Sequence, residues 1–212
     1  MENTFNDQKK SFFYRLLATP QLYRLSQNIF NKNKAYKALI NEYLQPTDGD
    51  KILDIGCGTA CIVDFIPPKV SYVGFDLNSR YIEYAQNKYK DRVRLYAKRV
   101  GEAESNSFEK FDHVIAIGIV HHISDEESIK LFQLGYDLLK PGGKMITYDP
   151  TINIEDNLIA KWMTRNDRGE HIRYPNDYKV IAEKVFDSTE IHVRKDLLNV
   201  AQSICITIGR KK

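Results

Sequence analysis

Asp54-Ile55-Gly56-Cys57-Gly58 sets an acid two residues ahead of a Gly-x-Gly turn. Glycines at such a turn accept positive φ and let the backbone come close to a ligand. A helix read as beginning near Thr59 would aim its first amides at the same point. Gly-x-Gly alone is a common composition for a turn. Dinucleotide enzymes ask for a third glycine, and the residue at that position is Cys61. They also keep carboxylates away from the pyrophosphate, which Asp54 would face. The pattern therefore points to a ligand without phosphates that carries a cationic group.

A second acid, Asp76, closes the apolar run Val73-Gly74-Phe75. At that distance from the glycine turn it can accept both hydroxyls of a ribose. The plain alternative is a helix N-cap, which Asn78 or Ser79 can provide equally well. Further on, Gly118-Ile119-Val120-His121-His122-Ile123-Ser124-Asp125 brings two imidazoles behind an apolar strand. Histidine titrates near neutrality and suits proton transfer. Cys57, Cys61 and Cys205 are too few and too unevenly spaced for a disulfide framework. Cys57 and Cys61 lack a second Cys/His pair to complete a zinc site, so no metal is expected.

Short apolar runs and amphipathic stretches position these residues. Ile52–Ile55, Val70–Phe75, Val93–Ala97, His113–Ile117 and Lys144–Tyr148 read as strands. Helices are expected over 81–90 and 126–139, where apolar residues recur at helical spacing. Strand, helix, strand in repetition means crossover connections and a parallel sheet. After Pro150 come helices over 154–164 and 178–185. Two β-branched runs follow, 190–194 and 201–208, with no helix between them, and are expected to close the sheet as a hairpin-like pair. The expectation is an α/β fold with a doubly wound, mostly parallel, seven-stranded sheet. Residues 1–45 read as an N-terminal helical cap, 46–212 as the main domain, and 151–178 as an insertion on the substrate side.

Composition narrows the classes. The chain has 212 residues, 42% apolar and 28% charged, which is ordinary for a globular protein and unlike a disordered one. A net charge of +3 is too small to argue for a nucleic-acid or membrane surface. No run of about 18 apolar residues could span a bilayer. The start, Met1-Glu2-Asn3-Thr4, is not that of a signal peptide. A cytoplasmic monomer or homodimer is expected.

Four blocks taken together resemble the class I, Rossmann-like S-adenosylmethionine-dependent methyltransferases. They are Leu53–Ala60, Val73–Asn78, Phe111–Asp125 and Leu138-Leu139-Lys140-Pro141-Gly142-Gly143-Lys144-Met145, in that order. The likeness covers about residues 48 to 150. The flanks resemble a subgroup of small bacterial enzymes, through Pro20-Gln21-Leu22-Tyr23 with Gln27 and through Asp167-Arg168-Gly169-x-His171. The resemblance implies S-adenosyl-L-methionine as cofactor. Asp54 and the Gly56-Cys57-Gly58 turn would cradle its methionine part, Asp76 its ribose, Leu77 its adenine, and Gly118 would lie under the sulfonium. An acid after the third strand often meets the adenine amine; Lys98 and Arg99 stand there instead, and the substitute is Glu102 or a backbone carbonyl.

Methyl transfer needs alignment and exclusion of water, because the cofactor supplies the electrophile. A hydroxyl or ammonium acceptor also needs a base. His122 is the first choice and His121 the second; transfer by proximity without a side-chain base stays open. The setting of His122 is similar to that in phosphoethanolamine methyltransferases, where a histidine pairs with a tyrosine of an N-terminal helix; Tyr14 and Tyr23 are the candidate partners here. Arg168 and Arg173 suit an anionic acceptor. The expected substrate is a small biosynthetic intermediate, a sugar or nucleotide-linked sugar by preference, methylated on O or N. A nicotinamide-dependent oxidoreductase and a non-catalytic cofactor-binding module are the alternatives.

Overall fold

The computed structural model describes residues 32–101, 109–167, 169–200 and 202–212. Seven strands form one sheet in the order β3-β2-β1-β4-β5-β7-β6. They are β1 (Lys51–Ile55), β2 (Ser71–Phe75), β3 (Val93–Tyr96), β4 (Phe111–Ile117), β5 (Leu139–Pro150), β6 (Ser188–Arg194) and β7 (Ile204–Arg210). The first five are mutually parallel. β7 runs antiparallel between β5 and β6, as the missing helix between the last two runs predicts.

Alternate residues of each inner strand feed opposite layers, as a pleated strand requires. Ile52, Tyr72, Ile115 and Ile146 face one layer; Leu53, Val73, Val114 and Met145 face the other. The first layer is covered by α1 (Lys32–Ala38), the single π-helical turn Leu39–Leu44 and α2 (Ser79–Tyr89). Of the expected N-terminal cap, only residues 32–45 fall among those described, and they bury Ala35, Tyr36, Leu39, Ile40 and Leu44. The second layer is covered by α3 (Asp125–Leu138) and α5 (Pro175–Glu183).

Caps fix where the site-bearing helices begin. Asn78 accepts the Arg80 N–H at 3.1 Å and caps α2, so Asp76 is not the cap. Ser124 and Glu127 form a reciprocal capping box at the start of α3. α4 (Leu158–Arg165) starts later than the sequence suggests because the Asn157 side chain accepts the Ala160 N–H at 2.9 Å. The helix expected from Thr59 is a 3-10 turn, Cys61–Phe65. Ala60 ahead of it is left-handed at φ +52°, so the chain cannot enter an α-helix there.

Candidate active site

The sheet order reverses between β1 and β4, and open α/β sheets bind ligands at the carboxyl ends of strands flanking such a reversal. Asp54, near the end of β1, is 3% exposed. The Tyr72 hydroxyl donates to its Oδ2 at 2.6 Å. Its Oδ1 is buried and has no hydrogen-bond partner among the described residues. Burial pushes the Asp54 pKa up to about 7, against the pull of the Tyr72 hydrogen bond and with a smaller push from the Asp76 charge. An orphaned acceptor on a half-ionised carboxyl is a place prepared for a cation or donor.

The glycine turn follows directly. Gly56 and Gly58 lie at φ +76° and +54°, where side chains are strained. A Cβ on Gly56 would also collide with Ile119. The Gly56 and Cys57 amides donate to the Phe75 carbonyl at 2.7 and 3.0 Å, which ties the turn to β2. The Cys57 thiol packs on Gly74 and is pushed far above the usual thiol range, by burial first and then by the Asp54 and Asp76 charges. It is a neutral packing group.

Asp76 sits half-buried across this turn. One oxygen accepts the Gly58 N–H at 2.9 Å and the other the Asn78 N–H at 2.8 Å. Each oxygen keeps a lone pair for a hydroxyl donor. Beside it opens a cleft of about 490 Å³, bordered by Gly56, Asp76, Leu77, Lys98, Val100 and Ile119 among others, with Leu131 and Leu134 of α3 as an apolar wall. Leu77 is exposed at its rim. Lys98 and Arg99 border the cleft where an acid was sought; Glu102 lies outside the described residues.

A second polar cluster stands at the ends of β4 and β5. Gly118, at φ +71°, donates its amide to the Tyr148 carbonyl at 2.8 Å. The 3-10 turn Val120–His122 comes next. His121 is the buried histidine, 5% exposed, with its Nδ1 2.8 Å from Asp149 Oδ1. Its Nε2 faces Asp167 Oδ1 at 3.5 Å. His122 is exposed, its ring against that of His121 at 3.9 Å between centroids. Sequence reasoning overlooked Asp149 and left Asp167 inside a family-like stretch. The one available signal was an acid at the very end of the fifth strand, the place Asp54 holds on the first.

One expectation is corrected. Arg173 offers no donor to a substrate. Its guanidinium binds the carbonyls of Val120, His171 and Ile123 and the Asp125 carboxylate, all within 2.7–2.9 Å. It is an internal strut that fixes the 3-10 turn. Tyr14, Tyr23 and Arg168 lie outside the described residues. Among those described, no group of three or more His, Cys, Asp or Glu could hold a metal ion. No described helix is long and apolar enough to cross a membrane.

Residues 53–145 match the family model described as a methyltransferase domain. By that match residues 53–145 are similar to methyltransferase domains. Over 133 residues the chain is 34% identical to a ubiquinone biosynthesis O-methyltransferase of Chelativorans sp. strain BNC1, covering 57% of this chain and 51% of that protein. A mitochondrial ubiquinone biosynthesis O-methyltransferase of Mus musculus is 33% identical over 108 residues, 48% of this chain and 29% of that protein. The chain thus spans about half or less of the curated relatives it matches. Human N-acetylserotonin methyltransferase, solved with its cofactor, shares the fold at a TM-score of 0.65 and 14% identity, over 91% of this chain and 55% of that one. The match is to methyl transfer rather than to hydride transfer, which sets the nicotinamide alternative aside. The methyltransferase cofactor fits the residues present: the orphaned Asp54 oxygen suits its ammonium, and the cleft beside Asp76 suits a nucleoside.

Proposed function

We propose that this protein methylates a small molecule on oxygen, using S-adenosyl-L-methionine. The observation that carries the reading is the buried oxygen of Asp54, without a partner among the described residues, beside a two-glycine turn and a nucleoside-sized cleft. When bound, the cofactor supplies an electrophilic methyl group. Asp54 and the Gly56–Gly58 turn would hold its amino-acid end, Asp76 its ribose hydroxyls, and Leu77 with Val100 its base. Gly118, without a side chain, leaves room at the point where the acceptor must approach. Oxygen is favoured over nitrogen by the two relatives described above, which are O-methyltransferases. The case for an anionic acceptor loses Arg173, one of the two arginines expected to hold it, because its guanidinium is fully engaged within the protein.

The test is calorimetry followed by transfer. The protein should bind S-adenosylmethionine, and radiolabel from its methyl group should pass to small molecules in a cell extract. Nicotinamide nucleotides should give no heat. Absence of cofactor binding would overturn the reading, and binding without transfer would favour a non-catalytic module.

A further inference from the structure

We propose that His121, rather than His122, takes the proton from the acceptor, with Asp149 as its positioning residue. The proposal rests on the methyl-transfer reading above. The imidazole stands at the carboxyl ends of β4 and β5, next to the point where the sheet order reverses. A Cβ on Gly118 would lie 3.7 Å from its Cε1, so the ring borders the space that this glycine leaves open.

Both edges of the ring meet carboxylates. On one side Asp149, 1% exposed, takes the Nδ1 contact at 2.8 Å and also accepts the His121 N–H at 3.2 Å through the same oxygen. That fixes the ring's orientation and directs the Nδ1 proton to Asp149, leaving Nε2 as the basic nitrogen. On the other side Nε2 faces Asp167 Oδ1 at 3.5 Å, too far for a hydrogen bond that an incoming hydroxyl would have to break. Asp167 is held from behind, its Oδ1 by the Gly169 N–H at 2.9 Å and its Oδ2 by Gln202 Nε2 at 3.3 Å.

A purely structural pair would be satisfied, and among the described residues this one is not. The second oxygen of Asp149 is buried and no described residue donates a hydrogen bond to it. Burying a carboxylate with an unmet acceptor is costly. Carboxylates on both sides of one imidazole accommodate the positive charge that arrives with a proton, the logic by which an aspartate supports a catalytic histidine. Crowding around the ring is equally specific. A Cβ on Gly169 would collide with it, and the His171 N–H holds the His121 carbonyl at 2.9 Å. His122 differs in exposure: its ring lies in solvent against that of His121, which is buried.

In the step proposed, the acceptor oxygen bonds to the methyl carbon as the carbon–sulfur bond breaks with its electron pair going to sulfur. The hydroxyl proton passes to His121 Nε2.

The experiment combines a resonance and a rate. In the ligand-free protein, histidine NMR should show a low-field, slowly exchanging Nδ1 proton that His121→Gln and Asp149→Asn both remove. Radiolabel transfer into a cell extract should fall by about 10²–10⁴-fold in His121→Asn. Calorimetric affinity for S-adenosylmethionine should stay within twofold. Asp149→Asn should lower the rate at unchanged cofactor affinity, and His122→Asn should cost less than His121→Asn. If His121→Asn fails to fold, His121→Gln replaces it. Undiminished transfer by the folded His121 variants, or a larger loss at His122, overturns the proposal. Absence of the low-field proton overturns the Asp149 pairing. A wild type that binds cofactor but labels nothing overturns the methyl-transfer reading and this proposal with it, whereas label carried equally by the variants overturns this proposal alone.

Discussion

Asp54 and Asp149 occupy equivalent places on two parallel strands, yet their surroundings differ. Each is buried at the carboxyl end of a strand, with one oxygen bonded and the other without a partner among the described residues. Asp54 is bonded by a phenol, Tyr72, whose own pKa is driven up by burial first and then by the Asp54 charge, so it stays a donor. Asp149 is bonded by an imidazole, which can exchange a proton. In the reading proposed above, the half of the sheet around β1 and β2 would receive the ligand through a backbone turn, and the half around β4 and β5 would orient a side chain for reaction. One fold would then carry a binding edge and a reacting edge side by side, with function following from what each carboxylate meets.

The largest expected effect tests the reacting edge. Arg173→Ala would leave three carbonyls and the Asp125 carboxylate without their shared donor. Removing one partner from a buried ionic cluster costs roughly 3–5 kcal/mol, and the exposed side of Asp125 places the expectation at the lower end. Urea denaturation of wild type and variant measures it. Destabilisation below about 1 kcal/mol would mean that the turn bearing His121 holds itself without this strut.

The binding edge should fail differently, in affinity rather than in stability. Asp76→Ala removes the acceptor for the Gly58 and Asn78 amides and both lone pairs offered to a ribose. Hydrogen bonds to a charged group are worth about 1.5–3 kcal/mol each, so cofactor affinity should weaken at least tenfold. Calorimetry within twofold of wild type, on a protein folded by circular dichroism, would detach Asp76 from the cofactor.

These two edges also differ in how far the sequence revealed them. The binding edge is contiguous: acid, turn and second acid fall within 54–76, and strand alternation makes β1 and β2 plain. Helix expectations erred where a single dihedral decided the outcome, as at Ala60, or where a side-chain cap did, as at Asn157. The reacting edge joins residues 121, 149, 167, 173 and 202, which no local pattern relates. The likeness to phosphoethanolamine methyltransferases favours His122, and which of the two neighbouring histidines is buried shows only in the fold. Arg173 looked like an anion anchor because sequence shows its charge but not the direction in which it points.

A smaller effect separates the edges by pH. Asp54 has its folded pKa raised from 3.8 to about 7 by burial. A carboxylate must ionise to hold an ammonium, so cofactor affinity should rise with pH and level off above about 7. Below that value it should fall toward tenfold per pH unit, about 1.4 kcal/mol. Stability of the cofactor-free protein should move the other way. The folded state binds the proton more tightly than the unfolded chain, so stability declines from about pH 4 to pH 7 and is flat beyond, as far as Asp54 determines it. Asp54→Asn keeps an acceptor for Tyr72 and removes the ionisation. It should bind cofactor poorly, with affinity insensitive to pH in this range, while melting above wild type at pH 8 without cofactor. Wild-type affinity that does not vary between pH 5.5 and 8 would show that Asp54 is not what the cation meets.

The smallest effect lies in the binding turn itself. Ala60 takes the left-handed conformation, φ +52° and ψ +35°, and is fully buried. Alanine in that region costs roughly 1–2 kcal/mol through the contact of its Cβ with the following carbonyl. Glycine would remove that strain, yet it gives the unfolded chain more freedom, which takes back roughly 0.4–1 kcal/mol. The Ala60 methyl also packs with Ile62 and Val63, and its loss subtracts part of the remainder. The net expectation for Ala60→Gly is a stability gain below about 1 kcal/mol, read by urea denaturation. Cofactor affinity should stay within twofold, because Ala60 follows the two glycines that approach the ligand. A loss of stability would show that the methyl contributes more to packing than its backbone costs. A loss of affinity with stability intact would show that the turn relies on Ala60 to limit its motion, and would extend the binding edge by one residue beyond Gly58.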